Sequence, residues 1–256
     1  LKIKNILVSQ PKPADIEKSP YGEIAKKYKL NIDFHKFIKI EGIIAKDFRK
    51  DRVNVLDHTA IILTSRNAVD HFFRIATEMR IEIPDTMKYF CISESTAFYL
   101  QKYVQYRKRK IFHGKQNFLD LMETIKKHKD EKFLLPCSDI HKMSMTHLLD
   151  TNEINYTKAI IYKTVASNLK NVNINGYDML IFFSPSGVTS LYKNFPEFNQ
   201  ENKLIAAFGP TTTKAVKDAG LNLNIEAPTK TAPSMTMAIE EYIQKEAKKT
   251  KKKIKK

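Results

Sequence analysis

Four places in the chain set hydroxyl or glycine residues directly behind a short apolar run. Ala60-Ile61-Ile62-Leu63 gives way to Thr64-Ser65-Arg66-Asn67, and Tyr89-Phe90-Cys91-Ile92 to Ser93-Glu94-Ser95-Thr96. Met179-Leu180-Ile181-Phe182-Phe183 gives way to Ser184-Pro185-Ser186-Gly187, and Leu204-Ile205-Ala206-Ala207-Phe208 to Gly209-Pro210-Thr211-Thr212. Each reads as a buried strand, a turn, and a helix opening at that turn. The first N–H groups of a helix lack intrahelical partners, and Ser or Thr hydroxyls beside them suit anionic oxygens. Singly, Ser184, Ser186, Thr211 and Thr212 read as helix caps. Grouped at strand ends in both halves of the chain, they read as half of an anion-receiving cleft, with Ser65 and Thr96 in the other half.

Two further side chains carry chemistry. Tyr162 lies in an extended amphipathic run, where packing is one use of it. The other is acid chemistry: a phenol with a pKa near 10 stays protonated at neutral pH and can donate to a departing hydroxyl. Lys142 follows Pro136-Cys137-Ser138-Asp139 near a helix start, a poor match to the helix dipole there. It reads either as a counter-ion for a bound anion or as a solvated lysine.

Other chemistries lack their residues. The seven glycines form neither a dinucleotide fingerprint nor a Walker loop. There is no His-Glu-x-x-His pattern, and His141 and His147 stand six apart, off a common helical face. The Ser184 turn lacks the glycine that precedes the serine of a nucleophile elbow. No cofactor and no metal are expected.

The elements that must position these residues alternate regularly. The spacing predicts a strand at Ile3–Val8, a helix at Tyr21–Lys29, and one long strand over Asn31–Ile40 with Ile32, Phe34, Ile38 and Ile40 on one parity. Strands follow at Thr59–Leu63, Tyr89–Ile92, Ile111–Phe112 and Glu131–Pro136. Between them come helices at about Asn67–Met79, Ser95–Val104, Asn117–Lys127 and Asp139–Leu149. Ile154–Val165 is a second long extended run, and Leu221–Ile225 and Ser234–Gln244 close the pattern as strand and helix. Short apolar runs alternating with helices indicate parallel sheets. Ser65 matches Ser184 and Thr96 matches Thr212 at nearly the same offset, a weak internal repeat that suggests two similar lobes. Two long strands, one entering and one leaving the middle lobe, would form a two-stranded hinge.

At 256 residues the chain accommodates one large domain or two modest ones. No apolar run approaches the roughly 20 residues of a membrane helix. The start is too short for a signal peptide, so the cytosol is the expected compartment. Cys91 and Cys137 sit in separate apolar runs and are expected to be reduced packing residues. Of the net charge of +16, the segment Lys245–Lys256, with eight lysines and one glutamate, holds +7. That tail reads as a solvated, frayed extension of the last helix. The remaining excess suits a polyanionic small molecule or nucleic acid.

Four segments, Thr64-Ser65-Arg66-Asn67-Ala68-Val69, Tyr162-Lys163-Thr164-Val165, Phe182-Phe183-Ser184-Pro185-Ser186-Gly187-Val188 and Gly209-Pro210-Thr211-Thr212, resemble uroporphyrinogen-III synthase in order and spacing. The resemblance covers nearly the whole chain except the lysine tail. It implies a HemD-like α/β fold of two parallel-sheet lobes with flavodoxin-like layers, joined by a two-stranded β hinge. Residues 1–34 and 168–246 would form the first domain, 35–40 and 161–167 the hinge, 41–160 the second domain, and 247–256 the basic tail. It further implies a cofactor-free lyase acting on hydroxymethylbilane, a linear tetrapyrrole with eight carboxylates. The enzyme eliminates water, inverts the last pyrrole ring through a spiro intermediate and closes the macrocycle. In that reading Tyr162 assists hydroxyl departure. Thr64, Ser65, Arg66, Ser93, Thr96, Lys142, Ser184, Ser186, Gly187, Gly209, Thr211 and Thr212 contact the substrate. Ser93 stands where the family often has glycine, and His141-Lys142 where relatives carry Lys or Arg. A monomer without membrane or nucleic-acid partners is expected. The rival classes are a non-catalytic two-lobed binding protein for an anionic small molecule and a basic nucleic-acid-binding protein.

Overall fold

Strand and helix alternate from the first residues onward in the computed structural model, which describes residues 3–140 and 143–254. The chain divides into two compact units, one made of Leu1–Lys39 and Val165–Lys256, the other of Ile40–Thr164. No helix among the described residues is long and apolar enough to cross a membrane.

The first unit begins with β1 (Asn5–Val8), α1 (Pro20–Tyr28) and β2 (Asn31–Phe34). The chain then passes through β3 (Ile38–Gly42), α2 (Ala45–Phe48), β4 (Ala60–Leu63), α3 (Arg66–Glu78), β5 (Lys88–Cys91) and α4 (Glu94–Leu100). It continues with β6 (Ile111–His113), α5 (Phe118–Ile125), β7 (Phe133–Ser138), α6 (Met143–Thr151) and β8 (Tyr156–Ala166). The first unit is completed by β9 (Met179–Phe182), α7 (Pro185–Asn194), β10 (Leu204–Phe208), α8 (Pro210–Asp218), β11 (Leu223–Ala227) and α9 (Met235–Ile254).

In the first unit the sheet order is β11-β10-β9-β1-β2, with parallel pairing throughout. Renumbered within the unit this is the flavodoxin-like order 2-1-3-4-5, which reverses between β1 and β9. In the second unit the order is β3-β8-β7-β4-β5-β6. Without β3, that is 3-2-1-4-5, reversing between β4 and β7. The two sheets therefore share their layers but not their strand order.

Alternate residues of a strand face opposite sides of its sheet, and each sheet accordingly has two cores. In the second unit Ile61, Leu63 and Leu134 pack against Val69, Phe72 and Ile75 of α3. Ile62, Phe133 and Leu135 pack against Leu121, Met122 and Ile125 of α5. In the first unit Ile6, Val8 and Ile181 meet Met235 and Ile239 of α9, while Leu7, Leu180 and Phe182 meet Leu191 and Val216.

Three expectations need correction. The long strand over Asn31–Ile40 is two strands, β2 and β3, in different sheets. Phe37 interrupts it: the side chain is 1% exposed, edge-on to Phe182, and its carbonyl accepts from the Ser167 N–H and the Ser190 hydroxyl. The expected parity does not hold through the break: Phe37, on the other parity, is buried, while Ile40 is 38% exposed. The helix expected to end at Gln244 runs on to Ile254, in line with the reading of the lysine-rich segment as its extension, which contains no Gly or Pro to stop it. In the third, β7 reaches Ser138, and Asp139 and Ile140 are not in the helix, which is described over Met143–Thr151. Ser138 and Asp139 are occupied by a turn: the Ser138 hydroxyl donates to Asp139 Oδ1, and the Ile140 N–H donates to both side chains.

Candidate functional site

In a parallel α/β sheet, ligands gather outside the carboxyl ends of the strands, where the strand order reverses. In the second unit that point lies between β4 and β7. The turn after β4 holds Thr64, half-buried, and Ser65, the N-cap of α3. Ser65 has an extended backbone, and its Oγ accepts from the Ala68 N–H at 3.1 Å. Arg66 follows, exposed, with its guanidinium 5.3 Å from the Tyr99 ring centre. The turn after β5 is built alike: the Ser93 hydroxyl accepts from the Thr96 N–H at 3.4 Å and lies 3.2 Å from the Thr96 hydroxyl. Its φ of −150° is ordinary extended backbone, so serine fits there without strain.

Tyr162 reaches this end of the sheet through a defect in the ladder. Along β7 and β8 the register runs Pro136 to Ala159 and Cys137 to Ile160, then shifts to pair Ser138 with Tyr162. One extra residue on β8 is a β-bulge, which re-aims the side chains that follow it. Consecutive strand residues normally face opposite sides, yet Ile161 and Tyr162 join the same core, the one that packs on α3. Tyr162 is 7% exposed, and its ring stacks on His71 at 5.1 Å between centroids and 22° between planes. Burial pushes the Tyr162 phenol pKa up, and the Ser65 hydroxyl beside it pulls the other way. The phenol is therefore a neutral donor at physiological pH.

The bulge is held from α3. Arg74 donates to the carbonyls of Ile161 (3.1 Å) and Ile43 (2.8 Å) and pairs with Glu78. Gly42 makes room for it, since a Cβ there would lie 2.6 Å from the guanidinium. Arg74 Nε also donates to His71 Nδ1 at 3.1 Å, which leaves the ring proton on Nε2. Burial, and then the Arg74 charge, hold the His71 pKa below its ordinary value, so the imidazole stacked on Tyr162 is neutral. From the β7 side, the Asp139 N–H donates to the Tyr162 carbonyl, and Asp139 Oδ1 accepts from the Thr164 N–H.

In the first unit the order reverses between β1 and β9. Ser184 caps α7, accepting from the Gly187 N–H at 3.2 Å. A Cβ on Gly187 would lie 3.5 Å from Ser184 Oγ and 3.7 Å from Ser9 Oγ, so both hydroxyls converge on this glycine and there is room for a methyl group. Ser186 is half-buried in the same turn. The turn after β10 differs from the other three. Gly209 has φ +87°, which glycine adopts at little cost, and no side chain caps α8. Pro210 has no N–H to offer, which leaves the Thr211 and Thr212 N–H groups without a capping acceptor. Thr211 is exposed and Thr212 is 1% exposed. Thr213 Oγ1 is fully buried without a hydrogen-bond partner.

The structure thus brings Thr64, Ser65 and Tyr162 together at one switch point, and Ser184, Ser186 and Gly187 at the other. Gly209, Thr211 and Thr212 lie at the end of β10, beside β9, while Ser93 and Thr96 follow β5. Lys142 lies outside the described residues. His71, Arg74, Asp139 and Ser9 were not among the expected site residues. Ser9, directly behind β1, had the same strand-then-serine signal as Ser65 and Ser184. The other three act through contacts distant in sequence. Among the described residues no group of three or more His, Cys, Asp or Glu side chains could hold a metal ion.

Fold and turns together define a class: an α/β protein of two parallel-sheet units, each with hydroxyl and N–H donors at its strand reversal. Within that class the chain belongs to the uroporphyrinogen-III synthase family, because the family model for uroporphyrinogen-III synthase HemD matches residues 35–237. No curated protein sequence gives a significant match. Among solved structures, the chain is similar to the uroporphyrinogen-III synthetase of Helicobacter pylori, with 18% identity, a TM-score of 0.58, and coverage of 94% of this chain and 99% of that one. It is also similar to a mutant uroporphyrinogen III synthase of Thermus thermophilus, with 13% identity, a TM-score of 0.51 and the same coverage. At these identities the likeness is one of fold.

Proposed function

We propose that this protein is a uroporphyrinogen-III synthase, a lyase that closes hydroxymethylbilane with loss of water and inversion of the last ring. The observation that carries the reading is the bulge that turns a buried, neutral phenol onto the Ser65 turn, at the switch point of a sheet in this family. Tyr162 donates its proton, or a hydrogen bond, to the departing hydroxyl. Positioning and charge placement do the rest, because the unassisted substrate closes without inversion and the protein must bias geometry as well as rate. The substrate's carboxylates are received by the open N–H groups of Thr211 and Thr212 and by the hydroxyls of Thr64, Ser65, Ser184 and Ser186, with Ser93, Thr96, Arg66 and Lys142 as further contacts. Gly187 lets the substrate approach the backbone closely, since the fold itself leaves space for a Cβ there.

The test is incubation with freshly made hydroxymethylbilane, followed by separation of the type I and type III isomers. The expected result is type III product in excess, formed faster than spontaneous closure. Type I product alone, at the spontaneous rate, overturns the reading.

A further inference from the structure

The second unit has a cavity at the rim opposite Ser65 and Tyr162. It opens at the amino ends of β5 and β6, encloses about 290 Å³, and is walled by Phe73, Tyr89 and Tyr103. That volume is near the lower end of the range for small-molecule sites, about 300–1,000 Å³. Phe73 and Tyr103 stack at 4.5 Å with 4° between planes, and the Tyr103 hydroxyl is fixed by a 2.6 Å hydrogen bond to Asp70. Tyr89 is different. It is 5% exposed, and its hydroxyl, itself not fully buried, has no hydrogen-bond partner among the described residues and faces the cavity. Burial pushes its pKa up to about 12, so it is a donor at any physiological pH. Arg107 and Lys110 also line the cavity, and they begin and end a run of four consecutive cations, Arg107-Lys108-Arg109-Lys110. Asp85 is the acidic residue of the lining. It meets Arg107 at 3.9 Å, with the Asp85 side chain 91% exposed, a geometry worth little in water.

An aromatic wall, one phenol hydroxyl free to donate into the cavity, and two cations describe complementary parts of a single ligand. A flat ring lies against the apolar walls, an acceptor atom meets the Tyr89 hydroxyl, and an anionic group meets Arg107 and Lys110. We propose that this cavity is a second binding site, distinct from the Ser65 and Ser184 turns, and that it takes a small planar aromatic carboxylate of one or two rings. The site lies wholly within the second unit, and the proposal does not depend on the catalytic reading.

The chain has no tryptophan, so the fluorescence of indole-3-acetate can be followed without background. Titrating the full chain with this probe should give saturable one-to-one binding at submillimolar Kd, weakening with salt as a charge contact does. The loss of one hydrogen bond in Tyr89→Phe should raise Kd by about 5- to 10-fold. An Arg107→Ala/Lys110→Ala double variant, changed outside the hydrophobic core, should raise it at least 10-fold. Ser65→Ala and Ser184→Ala should leave it unchanged. Absence of saturation at millimolar probe overturns the proposal. So does binding that ignores the Tyr89 and Arg107/Lys110 changes, or binding lost in the serine variants.

Discussion

Replacing Tyr162 by phenylalanine separates chemistry from structure more cleanly than any other single change. The ring keeps its stack on His71 and its place in the core, and the variant loses one hydroxyl beside Ser65. One hydrogen bond is worth about 0.5–1.5 kcal/mol of stability, so the variant should fold with nearly the wild-type denaturation midpoint. Loss of a general acid lowers turnover by about 10²–10⁴-fold, and loss of a mere hydrogen bond to the leaving group by about 10-fold. At about 1.4 kcal/mol per decade, the acid role removes roughly 3–5 kcal/mol of barrier lowering, beyond what a loosened fold explains. The assay is single-turnover cyclisation of hydroxymethylbilane by purified protein, with type I and type III products quantified. In the wild type burial raises the phenol pKa and keeps the donor protonated, so this group should cause no loss of rate around neutral pH. An unchanged single-turnover rate in Tyr162→Phe, with type III product retained, removes Tyr162 from the mechanism.

Three further outcomes follow from local geometry. Gly187→Ala should raise stability by up to about 1 kcal/mol, because alanine is the better helix former and the space exists. It should at the same time raise KM for the bilane; a stabilised variant with unchanged KM refutes close backbone approach there. Thr213→Val deletes a buried hydroxyl that has no partner and should stabilise the protein by about 1–3 kcal/mol in urea denaturation, whereas a loss of stability shows that the hydroxyl is in use. Burial pushes the Cys91 thiol up to about 12 and Cys137 up to about 11, so the nucleophilic thiolate is scarce at pH 7.5. Both should react with a disulfide reagent only at the rate of unfolding, and prompt labelling of the native protein contradicts this.

What was legible in the sequence was local. An apolar run followed by serine and a helical pattern predicts a capped helix, and Ser65, Ser93 and Ser184 each cap the helix that follows. Alternating runs and helices predicted parallel sheets because each strand needs cover on both faces. The parts that were not legible depend on distant partners. Parity sets Ile161 and Tyr162 on opposite faces, and only the register shift opposite Ser138, secured by Arg74 from another element, turns them the same way. Parity also joined Ile32 to Ile40 across a break made by Phe37, whose carbonyl is held by Ser167 and by Ser190, more than 100 residues away. His71 carries no motif, and its place against Tyr162 follows from the bulge.

Because β1 is flanked in its sheet by β9 and β2, the first unit cannot be completed in the order in which a ribosome delivers it. The part that ends at Lys39 is delivered first and must then wait, with a central strand open on one side, while the 125 residues Ile40–Thr164 are made. Those residues are contiguous and carry their own apolar interior, so Ile40–Thr164 should mature first during synthesis. Until β9 arrives to cover that open edge, β1 is at its most exposed to misassembly.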